Sequence, residues 1–141
     1  MKPPQRMRRT MSRNLYVTLP VKDVQRSVHF FAALGFAFNP KFASDNGAAL
    51  IINDTTTVML ASEAFFSTLT KVPITDARQA TEALFSLSLD SRADVDDLIR
   101  KAVAAGAEEG HDPEDYGFMY QRAFIDLDGH QWGVFQMNAE E

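Results

Sequence analysis

Residues 15–35, LYVTLPVKDVQRSVHFFAALG, change period part-way along. From Leu15 to Val21, Leu15, Val17 and Leu19 point one way while Tyr16 and Thr18 point the other, the alternation of a strand with one buried face. From Val24 the spacing turns helical: Val24, Val28 and Phe31 form a stripe that Phe30 and Leu34 widen. Asp23 stands at the N-cap and Gly35 where a glycine ends a helix, which predicts a helix from Val24 to about Ala33. The same order returns at 84–106, LFSLSLDSRADVDDLIRKAVAAG. There Phe85, Leu87 and Leu89 share a strand face, and Ser91 with Asp94 resembles a capping box with Asp in place of Glu. Val95, Leu98, Ile99, Ala102 and Val103 then make the apolar stripe of a helix over 92–105, ended by Gly106.

Short strand-like runs follow the first passage at 36–38, 48–53 and 57–61, separated by the turn-rich SDNG and NDTTT. Residues 62–83 break the rhythm and read as a short helix around Phe65, Phe66 and Leu69 followed by a loop. Two strands, about 118–125 and 131–137, close the chain around the turn LDGH. The halves match at an offset of 69 residues for Leu15 with Leu84, and 71 for Asp23 with Asp94 and Gly35 with Gly106. An internal duplication follows, each half β-α-β-β-β, with the two-residue difference placed between strand and helix.

At 141 residues without a cysteine, the chain is one domain by length, with no disulfide and no thiolate chemistry. A cytoplasmic protein is expected, and no apolar run is long enough for a membrane helix. Lys2, Arg6, Arg8, Arg9 and Arg13 fall in the first thirteen residues, read as a flexible basic extension. The remainder carries nine basic against nineteen acidic residues, a formal balance of −10, which argues against nucleic acid as a partner of the domain.

LPVKDVQRSVHFFAALGF (19–36), DYGFMYQRAFIDLDGHQW (115–132) and the paired layout together resemble the glyoxalase, bleomycin-resistance and extradiol-dioxygenase superfamily, the vicinal oxygen chelate proteins. The resemblance covers about residues 14–137. It implies an α+β fold of two βαβββ modules, 14–62 and 84–137 joined by a linker at 63–83, forming a curved mixed sheet around a pocket, commonly in a homodimer. It also implies four metal-ligand places, which in this chain hold Tyr16, Met59, Leu84 and Gly133. Phenol, thioether, isobutyl and hydrogen do not make a site for a hard or borderline divalent cation, so no metal and no other cofactor is expected.

Residues 126–137, DLDGHQWGVFQM, answer to the same logic. Asp126, Asp128 and His130 invite a metal reading, but Asp-Gly supplies the positive φ of a hairpin turn, and the twelfth residue from Asp126 is Met137, where a calcium loop needs Glu. Gly133 inside a strand marks a close approach by a ligand or backbone, or else a bulge or relief of crowding against Trp132. EEGHDPEDYG (108–117), with His111, reads as a solvated loop, and His29 as a surface or helix-packing residue.

The expected ligand-binding residues are Tyr16, Thr18, Met59, Leu84, Ser86, Tyr120, Arg122 and Gly133; no catalytic residue is identified. Ser88, Gln131 and Phe135 join them by alternation. On the strand 118–125 the inward face is either Tyr120, Arg122 and Phe124 or Met119, Gln121 and Ala123. Arg122 is then exposed, paired, or holding a ligand anion, because a buried unpaired guanidinium is costly. The first expectation is a protein that binds a small, partly aromatic molecule without a metal. The alternatives are a metal-dependent lyase or dioxygenase with non-standard ligands, a metal-free catalyst using Tyr16 or Tyr120, and an interaction module with a filled core. A tyrosine base would need its pKa of about 10 brought down substantially.

Overall fold

The computed structural model describes residues 13–138, so the basic extension, apart from Arg13, lies outside the described residues. Contacts gather the chain into two compact units. One holds the described residues up to Val28 together with Phe36–Val72, and the other holds His29–Gly35 with the described residues from Pro73 on.

The first unit contains β1 (Leu15–Val21), β2 (Ala37–Ser44), β3 (Gly47–Asn53) and β4 (Thr56–Ser62) in a four-stranded sheet of order β1-β4-β3-β2. β1 and β4 are parallel and the other pairs antiparallel. Leu19 and Val21 on β1 lie beside Leu60 and Ser62 on β4, and the alternate positions of β1, β3 and β4 put Leu19, Val21, Leu50, Val58 and Leu60 in the core. Helix α1 (Val24–Ala33) starts as its sequence dictates, with the Asp23 carboxylate accepting the amide of Arg26 at 3.0 Å. A short helix α2 (Glu63–Ser67) follows β4, capped by the Ser62 hydroxyl.

The second unit contains β5 (Leu84–Ser88), α3 (Arg92–Ala104), β6 (Glu108–Glu109), β7 (Glu114–Asp115), β8 (Met119–Ile125) and β9 (Gln131–Met137). Its sheet runs β5-β9-β8, with β6 and β7 both paired to the far edge of β8. The Ser91 hydroxyl accepts the amide of Asp94 at 3.0 Å and so caps α3, whose buried face is Val95, Leu98, Ile99 and Ala102. Val103, placed in that stripe by spacing, is exposed because it sits at the margin of the helical face in the last turn. The aromatic core of this unit takes in the end of α1: Phe31 meets Trp132 edge-on at 5.4 Å, Phe30 lies 6.1 Å from Phe124, and Phe124 stacks on Trp132.

Two sequence expectations change. Leu15 lies on the buried face of β1 with Val17 and Leu19, whereas Leu84 lies with Ser86 and Ser88 on the open face of β5. One residue of slip exchanges the faces of a strand, so the equivalent of Leu84 is Tyr16, and that of the N-cap Asp23 is Ser91. Both pairs are 68 residues apart. The extra residues fall inside the helix, thirteen long in α3 against ten in α1, and nearly one whole turn preserves its buried face. The segment 108–117 is also not a plain loop. Glu108 and Glu109 pair with Ile125 and Phe124, and Glu114 and Asp115 with Gln121 and Tyr120. Gly110 permits this, since a Cβ there would stand 2.8 Å from that of Ala123.

Candidate functional site

The four places implied by the resemblance form two equivalent pairs. In the first unit Tyr16 is registered with Thr57 and Thr18 with Met59, so Tyr16, Thr18 and Met59 share the less buried face of the β1–β4 pair. In the second, Leu84 is registered with Gln131 and Ser86 with Gly133, so Leu84, Ser86 and Gly133 share the open face of the β5–β9 pair. Each pair sits on neighbouring parallel strands with the same two-residue stagger. Tyr16 and Leu84 are well exposed, at 55% and 68%.

Gly133 has a specific neighbour. The ladders to β5 and β8 run through it without a bulge, and a Cβ would stand 3.1 Å from the Ser86 hydroxyl oxygen. The close approach therefore comes from Ser86 across the sheet and not from Trp132, which points to the opposite, buried face.

A divalent metal, which the fold family implies, finds no matching donors here. Around Tyr16 and Met59 stand Thr18, Thr57, Ala49 and Ile51; around Leu84 and Gly133 stand Ser86, Ser88, Gln131, Phe135 and Ala123. Hydroxyls, one thioether and an amide do not replace the imidazoles and carboxylates that such a cation needs. Among the described residues no three His, Asp or Glu side chains gather closely enough to hold a metal ion.

The structure separates Tyr120 and Arg122 from this group. Arg122 is registered with Val134 on the buried face of β9, and it turns toward α3. Its guanidinium donates to Asp96 on α3 at 2.9 Å and to Glu109 on β6 at 2.5 Å, while the Tyr120 hydroxyl donates to Asp96 at 2.7 Å. The Tyr120 hydrogen bond and the Arg122 guanidinium hold the Asp96 carboxyl below its ordinary range, and the same hydrogen bond pushes the Tyr120 phenol upward, away from use as a base. Of the three fates open to Arg122, pairing is the one realised. Phe124 and Trp132, packed together, set the orientation of β8, which leaves Met119, Gln121 and Ala123 on the Gly133 face.

The stretch after β8 is a turn built on Asp126, which is 4% exposed. Its Oδ1 accepts the amides of Asp128 and His130 at 2.9 and 3.0 Å, and its Oδ2 accepts the Trp132 indole N–H at 3.0 Å. Burial pushes the carboxyl pKa up, opposed by nearby His130 and by these donors. Gly129 takes φ +91°, and a Cβ there would stand 2.7 Å from Cγ of Arg78, whose guanidinium donates to the Leu127 carbonyl at 2.7 Å. His29 and His111 are exposed, and His111 Nδ1 lies 2.9 Å from the Asp112 carbonyl.

The segment 108–117, a loop by its sequence, adds one carboxylate to the Gly133 face. Glu114 is registered with Gln121 and accepts its side-chain amide at 2.6 Å. Continuing the strand alternation of β8 across its edge would have found it, but a two-residue strand beside Pro113 and Gly117 gives no period to read.

Residues 13–134 match the family described as Glyoxalase/Bleomycin resistance protein/Dioxygenase superfamily, and the chain belongs to it. Among solved structures the chain is similar to hypothetical protein SA1046 from S. aureus, at 28% identity and a TM-score of 0.77, covering 87% of this chain and 92% of that one. A glyoxalase/bleomycin resistance protein/dioxygenase family enzyme from Burkholderia phytofirmans PsJN is 17% identical with a TM-score of 0.72, over 87% and 97% of the chains. The fosfomycin resistance protein FosX from Mesorhizobium loti, at 13% identity and 0.65 over 89% and 92%, shares the fold. A search of the curated proteins returned no match. Among the described residues no helix is long and apolar enough to cross a membrane.

Proposed function

We propose that this chain binds a small, partly aromatic molecule on the open faces of its sheets without a metal. The observation that carries the reading is the set Tyr16, Met59, Leu84 and Gly133 at the places where metal-using relatives would carry ligands. Exposed apolar and aromatic groups with a few hydroxyls and amides suit van der Waals and hydrogen-bonded recognition of an organic ligand. The test is thermal denaturation against a panel of small aromatic compounds. A compound at a hundred times its Kd stabilises by about 2.7 kcal/mol, a rise of several degrees. For a compound held on the first sheet the rise should disappear in Tyr16→Ala, and for one held on the second in Gly133→Leu, each compared with its own unliganded melting temperature. A panel without hits, or hits indifferent to both substitutions, would contradict the reading.

The same proposal places the protein in the cytoplasm as a homodimer. Recovery in a membrane pellet, or light scattering that returns only monomer at micromolar concentration, would overturn those two parts.

A further inference from the structure

One cross-strand row of the second sheet runs from Ser88 on β5 through Phe135 on β9 and Gln121 on β8 to Glu114 on β7. At the usual strand spacing it is about 14 Å long. The next row on the same face holds Met137 and Met119, with Tyr116 opposite Met119 through a 2.8 Å backbone hydrogen bond. Tyr116 and Met137 are 52% and 49% exposed, so apolar and aromatic surface lies open around one carboxylate.

That carboxylate differs from five others of the second unit. Glu108, Glu109, Asp96, Asp97 and Asp115 each have an arginine or lysine partner. Glu114 accepts from two neutral groups, the Gln121 amide and the Tyr116 hydroxyl, with His111 contributing a weaker field, and these hold its pKa below the ordinary value. It is half-buried, where an ionic contact gains more than in open water. Its position is fixed by the residue beside it. Asp115 points to the opposite face, where Arg92 grips both of its oxygens at 2.8 Å, so β7 is pinned with Glu114 turned to the open side.

We propose that Glu114 is the anionic anchor of a binding site on this face. The site takes a small molecule with a planar aromatic body and a cationic end, such as an amidinium or a protonated amine. The aromatic body would lie on Phe135, Met119 and Tyr116, and the cation would meet the Glu114 carboxylate beside the Tyr116 ring. The inference rests on the binding function proposed above and gives that function a ligand class.

The experiment is an amide-resolved NMR titration of the full chain with benzamidine, cationic at neutral pH, and with benzamide, its neutral counterpart of the same shape. Benzamidine should bind at least tenfold more tightly and shift resonances within 114–121 and 133–137. In Glu114→Gln, which keeps an acceptor for Gln121, the preference should fall to within twofold. Equal affinities in the wild type, a preference that survives Glu114→Gln, or no response to either probe would overturn the anchor. So would shifts at 116–119 that follow protein concentration alone, the mark of a contact between copies. Benzamide and benzamidine binding equally near Gly133 and Phe135 would remove the anchor and leave metal-free binding standing. Failure of the whole aromatic panel in the thermal test would remove both.

Discussion

The two oxygens of Asp126 receive three donors, two backbone amides and the Trp132 indole. Burial alone would favour a neutral side chain at this position, yet an amide offers one oxygen where two are used. Asp126→Asn therefore sets an NH2 against at least one buried donor, and it should destabilise the chain by about 1–3 kcal/mol in denaturant unfolding. A neutral or stabilising result would mean that the carboxylate's desolvation outweighs its hydrogen bonds. Asp-Gly made the turn at 126–130 legible from sequence, since the chemistry of positive φ is local. The reach from Asp126 to Trp132, six residues on, was not legible, because it exists only once β8 and β9 pair. Gly133 was recognised as a point of close approach, but its neighbour Ser86 lies 47 residues away and is set by strand register.

β7 is two residues long, and the Arg92–Asp115 ion pair ties it to α3. Arg92 and the Gly117 amide bring the Asp115 carboxyl from its ordinary 3.8 down to about 2. A folded-state pKa below the unfolded one means that the stabilisation is complete above the ordinary value and is lost as pH falls through the folded one. The β7 attachment should therefore loosen between pH values near 3.8 and about 2, seen as lower protection of the Tyr116 and Gly117 amides against hydrogen exchange, relative to the unstructured-chain rate at the same pH. Titration of the Asp115 carboxyl at an unperturbed value would contradict this. Helices α1 and α3 were legible because caps, stripe and terminal glycine agree within each segment. β6 and β7 were not, since such short strands are defined by the edge of β8 and not by their own residues. The open face of β8 was undecided for a similar reason. Alternation groups Tyr120 with Arg122 and Phe124, and only the packing of Phe124 on Trp132 orients the group.

For the chain as a whole, duplication was the strongest signal in the sequence, and the two sheets repeat it down to the stagger of Tyr16 with Met59 and of Leu84 with Gly133. A repeated pattern of caps and alternation survives divergence, because each copy satisfies the same backbone and burial requirements. Ligand identity lies in a handful of open-face side chains, which no periodicity constrains, and so it was not legible. In this chain the family's metal places hold Tyr16, Met59, Leu84 and Gly133, which offer no imidazole or carboxylate to a cation. Mass spectrometry of untagged protein, grown in metal-replete medium and purified without chelators, tests metal-free binding directly. The expected result is far less than one equivalent of any transition metal per chain. Near one equivalent of zinc, manganese, nickel or iron would contradict metal-free binding.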